Sequence, residues 1–179
     1  MKRHLLAAVL LACAAAAWDQ HATGAGQAQD ATDPEAVSEL DALMQSLFAS
    51  IAALSDYGVP ARLPRVFHLP QLALEARICD EPCNVTAAYL PREGIFLSEN
   101  LDPIRDPLDR AALVHELVHY LQQGHPKFAG LAPCVRERTK EQEAYAIHNA
   151  YLAAIRSTQR VVFYEGDFEC DGETQPPTP

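Results

Sequence analysis

A glutamate and two histidines are set in the apolar run between Ala111 and Leu121, in the order His115-Glu116-Leu117-Val118-His119. On a helix, residues four apart lie one above the other on one face. The two imidazoles can therefore grip a single Zn²⁺, with Glu116 beside them as a general base. The flanking residues favour that helix. Asp106 suits the N-cap, Pro107 the first helical position and Asp109 the positive end of the dipole, while Gly124 and Pro126 supply the stop. Leu113, Val114, Leu117, Val118 and Leu121 make a wide apolar arc, as a core helix needs. Burying two histidines and a carboxylate there is costly unless something pairs with them, and a metal does. The competing reading is a pair of core histidines satisfied without metal.

The ends of the chain bound the context. Met1-Lys2-Arg3-His4 followed by the apolar stretch from Leu5 to Ala17 has the form of a signal peptide, too short to cross a bilayer. Residues 1–28 are read as that signal, 29–33 as a disordered spacer, 34–170 as one zincin-like metallopeptidase domain, and 171–179 as a disordered tail. The expected location is periplasmic or extracellular, with lipid anchoring through Cys13 the lesser alternative. No transmembrane span is expected. Export gives meaning to Cys79, Cys83, Cys134 and Cys170, an even set that favours two disulfides over a cysteine-rich zinc site. Three connectivities are possible. The short Cys79–Cys83 segment closing on itself, with Cys134 joined to Cys170, is preferred to links that reach across the fold. The formal charge of −10, with no basic stripe, argues against nucleic acid as a partner. A monomer is expected.

Periodicity predicts a helix from Pro34, carrying Leu40, Leu43, Met44, Leu47, Ile51 and Leu54, and ended by Gly58 and Pro60. A short strand is expected at Arg65–His68 and a short helix at Leu72–Ile78. Val85–Leu90 and Gly94–Ser98, joined by Pro91-Arg92-Glu93, read as a hairpin. The motif helix runs from Pro107 to about Gln123, a second helix from about Glu137 to Arg156, and a last strand at Val161–Tyr164. The fold class is α+β, a small antiparallel sheet packed on the motif helix and a second helix, with an N-terminal helix added.

A catalytic zinc keeps three protein ligands and one open position. Glu143, 24 residues after His119, is the favoured third ligand. On a helical wheel it lies at the margin of an apolar face centred on Ile147 and Tyr151. Glu141 falls farther round the other side, next to Tyr145 and His148. His125 stands where metzincins place a third histidine, but Gln122 occupies the slot of their turn glycine and no methionine follows the motif.

With its downstream glutamate the chain resembles the gluzincins, zinc peptidases with H-E-x-x-H and a glutamate ligand on a second helix. From Pro64 to Leu152 it resembles small bacterial secreted proteins of that type, through Cys79-x-x-x-Cys83, Ala88-Tyr89, Gly94-Ile95-Phe96-Leu97, the motif from His115 to Gln122, and Glu143-Ala-Tyr-Ala146. The resemblance implies an edge strand near Ile95–Ser98 that aligns an extended substrate over the metal. It departs from thermolysin-like members at Ile147, where they carry an aspartate that orients a zinc-bound histidine.

The expected activity is hydrolysis of a peptide or protein substrate by a zinc-bound water activated by Glu116, the metal being held by His115, His119 and Glu143. His148 and Tyr145 are the candidates for helping to stabilise the oxyanion. The alternative is a non-catalytic exported binding or adhesion module stapled by zinc. Structural sites usually have four protein ligands, however, and no convincing fourth is present.

Overall fold

In the computed structural model the described residues are 34–81, 83–164 and 170. The signal segment, the spacer and the C-terminal tail lie outside them. The elements follow in the order α1 (Pro34–Leu54), β1 (Val66–Leu69), α2 (Gln71–Ile78), β2 (Ala87–Leu90), β3 (Gly94–Ser98), α3 (Pro107–Gln122), a 3-10 turn (Pro126–Phe128) and α4 (Pro133–Ala154). This is the expected α+β class.

The sheet differs from expectation in being mixed. Its order is β1-β3-β2, with β3 antiparallel to β2 and parallel to β1, so that Val66 lies opposite Ile95 and Ala87 opposite Leu97. The hairpin was legible from its turn residues. The β1–β3 pairing joins strands separated by α2 and β2, and nothing local encodes it. β3 is thus the central strand, not an edge. All five of its residues are buried. Ile95 and Leu97 join the main core with Leu113, Val114 and Leu117 of α3. By strand alternation Phe96 faces the opposite side, where it stacks on Phe67 and lies under the Arg77 guanidinium of α2.

Gly94 is required where β3 begins. Its φ is +141°, and a Cβ there would stand 2.4 Å from the Arg65 carbonyl oxygen, the group that accepts the Ile95 amide hydrogen at 2.8 Å. Only a residue without a side chain lets β1 and β3 approach this closely.

The α3 boundaries follow their sequence signals. Asp106 caps the helix by accepting the Leu108 amide hydrogen at 2.7 Å, Pro107 opens it, and Gly124 leaves it at φ +71°. α4 starts a turn earlier than expected, at Pro133, a proline at the first helical position that could have marked it. Val161–Tyr164 is not a strand. The segment runs without regular structure, tied to α4 where the Asn149 side chain and Val161 backbone exchange hydrogen bonds of 2.8 and 2.9 Å. α1, α3 and α4 share one core with the inner face of the sheet, built on Phe48, Ile51, Leu113, Leu117, Ala144 and Leu152.

Cys79, Cys83, Cys134 and Cys170 stand as two pairs at disulfide distance. Cys79 lies with Cys83, Cα atoms 6.3 Å apart, and Cys134 with Cys170, 5.6 Å apart. This is the preferred connectivity. Among the described residues no helix is long and apolar enough to cross a membrane.

Candidate metal centre

α3 stacks His115 and His119 so that their Nε2 atoms are 3.0 Å apart. α4 packs beside it and contributes a carboxylate, which is that of Glu141. Its Oε2 lies 3.3 Å from His115 Nε2 and its Oε1 lies 3.2 Å from His119 Nε2. An ion with tetrahedral bonds of about 2.0–2.1 Å separates its ligand atoms by about 3.3 Å. The nitrogen–nitrogen and nitrogen–oxygen separations are of that size, and one donor atom from each of the three residues lies within 4.8 Å of the others, so the group can hold a metal ion. Among the described residues no fourth histidine, cysteine or acid joins it.

The electrostatics are those of a site built around a cation. Burial pushes the Glu141 carboxyl up, but hydrogen bonds to His115 and His119 outweigh it and hold the group at about 2. Burial pulls the His119 imidazole down, yet the Glu141 bond and the nearby Glu116 charge leave it raised. Glu116 is 6% exposed, and burial raises its carboxyl against the opposing pull of His115, His119 and a backbone hydrogen bond from Tyr89 of β2.

Two cavities flank the group. One, of about 350 Å³, is lined by Ala88, Tyr89, His115, His119, Lys140 and Glu141. The other, of about 380 Å³, is lined by Thr86, Ala87, His115, Glu116, Tyr145 and His148. β2 borders both, and its outer side has no strand neighbour. The edge strand beside the metal group is thus β2, where the resemblance had implied β3.

The expected site residues divide clearly. His115, Glu116 and His119 come together as the motif requires. Tyr145 and His148 join them, with ring centroids 4.7 and 5.9 Å from that of His115. His148 is 8% exposed and its Nδ1 has no hydrogen-bond partner among the described residues. Burial first, and His115 second, depress its imidazole to about 4. Glu143, expected as the third ligand, faces the other way. Its Oε2 accepts from the Tyr57 hydroxyl at 2.5 Å and from Gln122 Nε2 at 3.0 Å, and its Oε1 pairs with Lys127 Nζ at 2.5 Å. His125 stays off the metal group, packing edge-on against Tyr57 at 5.2 Å.

The reason lies in the apolar face of α4. Its buried residues include Ala144, His148 and Leu152 as well as Ile147 and Tyr151, which turns the face toward Glu141. Glu141, Tyr145 and His148, four and three residues apart, form the stripe that meets His115. The adjacency of Glu141 to Tyr145 and His148 was visible on the wheel, whereas the margin that met α3 was not. Gln122 was missed altogether as a functional residue. Its amide oxygen lies 2.9 Å from His119 Nδ1.

No protein-family model, curated protein or solved structure matches this chain.

Proposed function

We propose that the chain is an exported zinc-dependent hydrolase of peptide bonds, with His115, His119 and Glu141 as the metal ligands. The observation that carries this reading is the Glu141 carboxylate facing two stacked imidazoles, one oxygen 3.3 Å from His115 Nε2 and the other 3.2 Å from His119 Nε2, beside a buried glutamate one residue from the first ligand. Zinc bound by two histidines, a carboxylate and one open position supplies an acidified water and polarises a carbonyl. A site with three protein ligands suits catalysis better than structural stapling.

The other roles belong to the chain. Glu116 takes a proton at its carboxylate and returns it to the leaving amine, and burial raises its pKa in the direction that this work requires. The Tyr89 backbone steadies that carboxylate from β2. The outer edge of β2 offers main-chain groups to an extended peptide running between the two cavities. His148, kept neutral by its depressed pKa, and Tyr145 are the polar side chains available to a developing oxyanion. The two cysteine pairs fit a periplasmic or extracellular location.

The test combines metal analysis of the purified chain with cleavage of a peptide library. Wild type is expected to carry about one zinc per chain and to cleave. Glu116→Gln should keep the zinc and lose cleavage by several orders of magnitude, and Glu141→Gln should lose both. Undiminished cleavage by Glu116→Gln, or a wild-type chain that takes up no zinc, would refute the assignment.

A further inference from the structure

Gln122 is 1% exposed, so every polar atom of its amide needs a partner inside the protein. Its Nε2 lies 2.9 Å from the Lys140 carbonyl oxygen and 3.0 Å from Glu143 Oε2. Both neighbours only accept hydrogen bonds, which places the two amide hydrogens there. The amide oxygen then has one orientation left, toward His119 Nδ1 at 2.9 Å. An oxygen acceptor at that position requires the hydrogen of a neutral His119 to sit on Nδ1. Nε2, which faces His115 and Glu141, is left with its lone pair.

Glu143 is itself fixed from behind. The Tyr57 hydroxyl, from the segment after α1, donates to one oxygen and Lys127, from the 3-10 turn, pairs with the other. Lys127 also bridges to Asp56 at 3.1 Å and lies 4.0 Å from the centre of the Tyr57 ring. The order of dependence is Tyr57 and Lys127 on Glu143, Glu143 on Gln122, and Gln122 on His119.

We infer that Gln122, oriented by Glu143 and Tyr57, is a positioning residue that locks His119 in the tautomer able to ligate a metal. The inference rests on the metal reading above only for its consequence, because the tautomer itself is a property of the metal-free chain. Glu143 thus acts on the metal at two removes, through another side chain. The position where metzincins keep a turn glycine carries in this chain the amide that orients the second histidine.

Two measurements on the oxidised full-length chain test this. The first is long-range ¹⁵N–¹H NMR of the histidine rings in metal-free wild type, with the pH raised until the ring ¹⁵N shifts of His119 no longer change. The His119 hydrogen is expected wholly on Nδ1, and on a mixture of both nitrogens in Gln122→Met, which keeps the volume and removes the amide. The second is zinc affinity by competition with a chromophoric chelator. Gln122→Met should bind zinc about 10- to 100-fold more weakly, the usual effect of removing a partner of a metal-bound histidine. Tyr57→Phe, which removes only a hydroxyl, should weaken zinc binding in the same direction by a smaller factor. Glu143→Gln keeps an oxygen for Tyr57 and Gln122, and should stay within about threefold of wild type. A loss in Glu143→Gln as large as that in Glu141→Gln would mean that Glu143 is a ligand and would overturn the inference. So would a wild-type His119 with its hydrogen on Nε2, a result that stands even if the variants fail to fold. A wild-type chain that binds no zinc but has the Nδ1–H tautomer would sink the peptidase reading and leave the relay intact.

Discussion

At the scale of single residues the site sets one carboxylate against two imidazoles and can hold a metal ion. Glu141 stays ionised down to about 2, while His119 is raised above its ordinary value by that same carboxylate. Zinc has to displace the His119 proton. Below the raised His119 pKa the zinc affinity should therefore fall about tenfold per pH unit for this group alone. Calorimetry in buffers of different protonation enthalpy should count the proton released on binding, and a pH-independent affinity would contradict the picture. Stability should respond to pH with opposite signs in the two forms. In the metal-free chain His119 has a folded pKa above its unfolded one. Its contribution is fully present below the unfolded value and is lost as pH rises through the folded one. With zinc present, stability should instead increase with pH as the ion binds more tightly. Thermal melts with and without zinc across neutral pH would show the crossing.

At the scale of elements, two close approaches position the chemistry. α4 carries Glu141 and Glu143 at opposite margins of its buried face, and the margin that meets α3 decides which of them reaches the histidines. The sheet depends on Gly94 for its parallel β1–β3 pair. Gly94→Ala would drive a methyl group into the Arg65 carbonyl, and should cost roughly 2–3 kcal/mol or more through strain and a lost ladder bond. Chemical denaturation would measure it, and an alanine tolerated without loss would mean that β1 can move away freely. β2, the strand that borders both cavities, lies on the other side of β3. A Gly94→Ala chain that still folds should therefore keep more of its zinc affinity than of its stability.

At the scale of the whole molecule, the Cys134–Cys170 pair ties the first turn of α4 to a residue 36 positions along the chain. Closing a loop of that length restricts the unfolded chain by about 4 kcal/mol in the chain-entropy account, against about 2 kcal/mol for the short Cys79–Cys83 loop. Replacing both Cys134 and Cys170 by serine should lower stability by much more than replacing Cys79 and Cys83. Equal losses in denaturant titrations would argue against the entropic assignment. Cys134 sits seven residues before Glu141 on α4, so removal of the pair should also loosen zinc binding.

Features that act within a few residues could be read along the chain. The histidine spacing of the motif, the Asp106-Pro107 start and Gly124 stop of α3, the hairpin turn and the period of α1 all depend on neighbours in sequence, through the fixed geometry of a helical turn or a two-strand ladder. The juxtaposition of His115, Glu116 and His119 and the α+β class were legible for that reason. What remained hidden depends on how elements rotate and pair once packed. The choice of Glu141 over Glu143 turns on the rotation of α4 against α3, a quantity that the wheel brackets between two margins without resolving. The parallel β1–β3 pair, and with it the transfer of the edge role to β2, rests on a contact between distant segments. Gln122 acquires its role only because burial leaves its amide one way to satisfy three partners drawn from α3 and α4, and that constraint exists only in the folded chain.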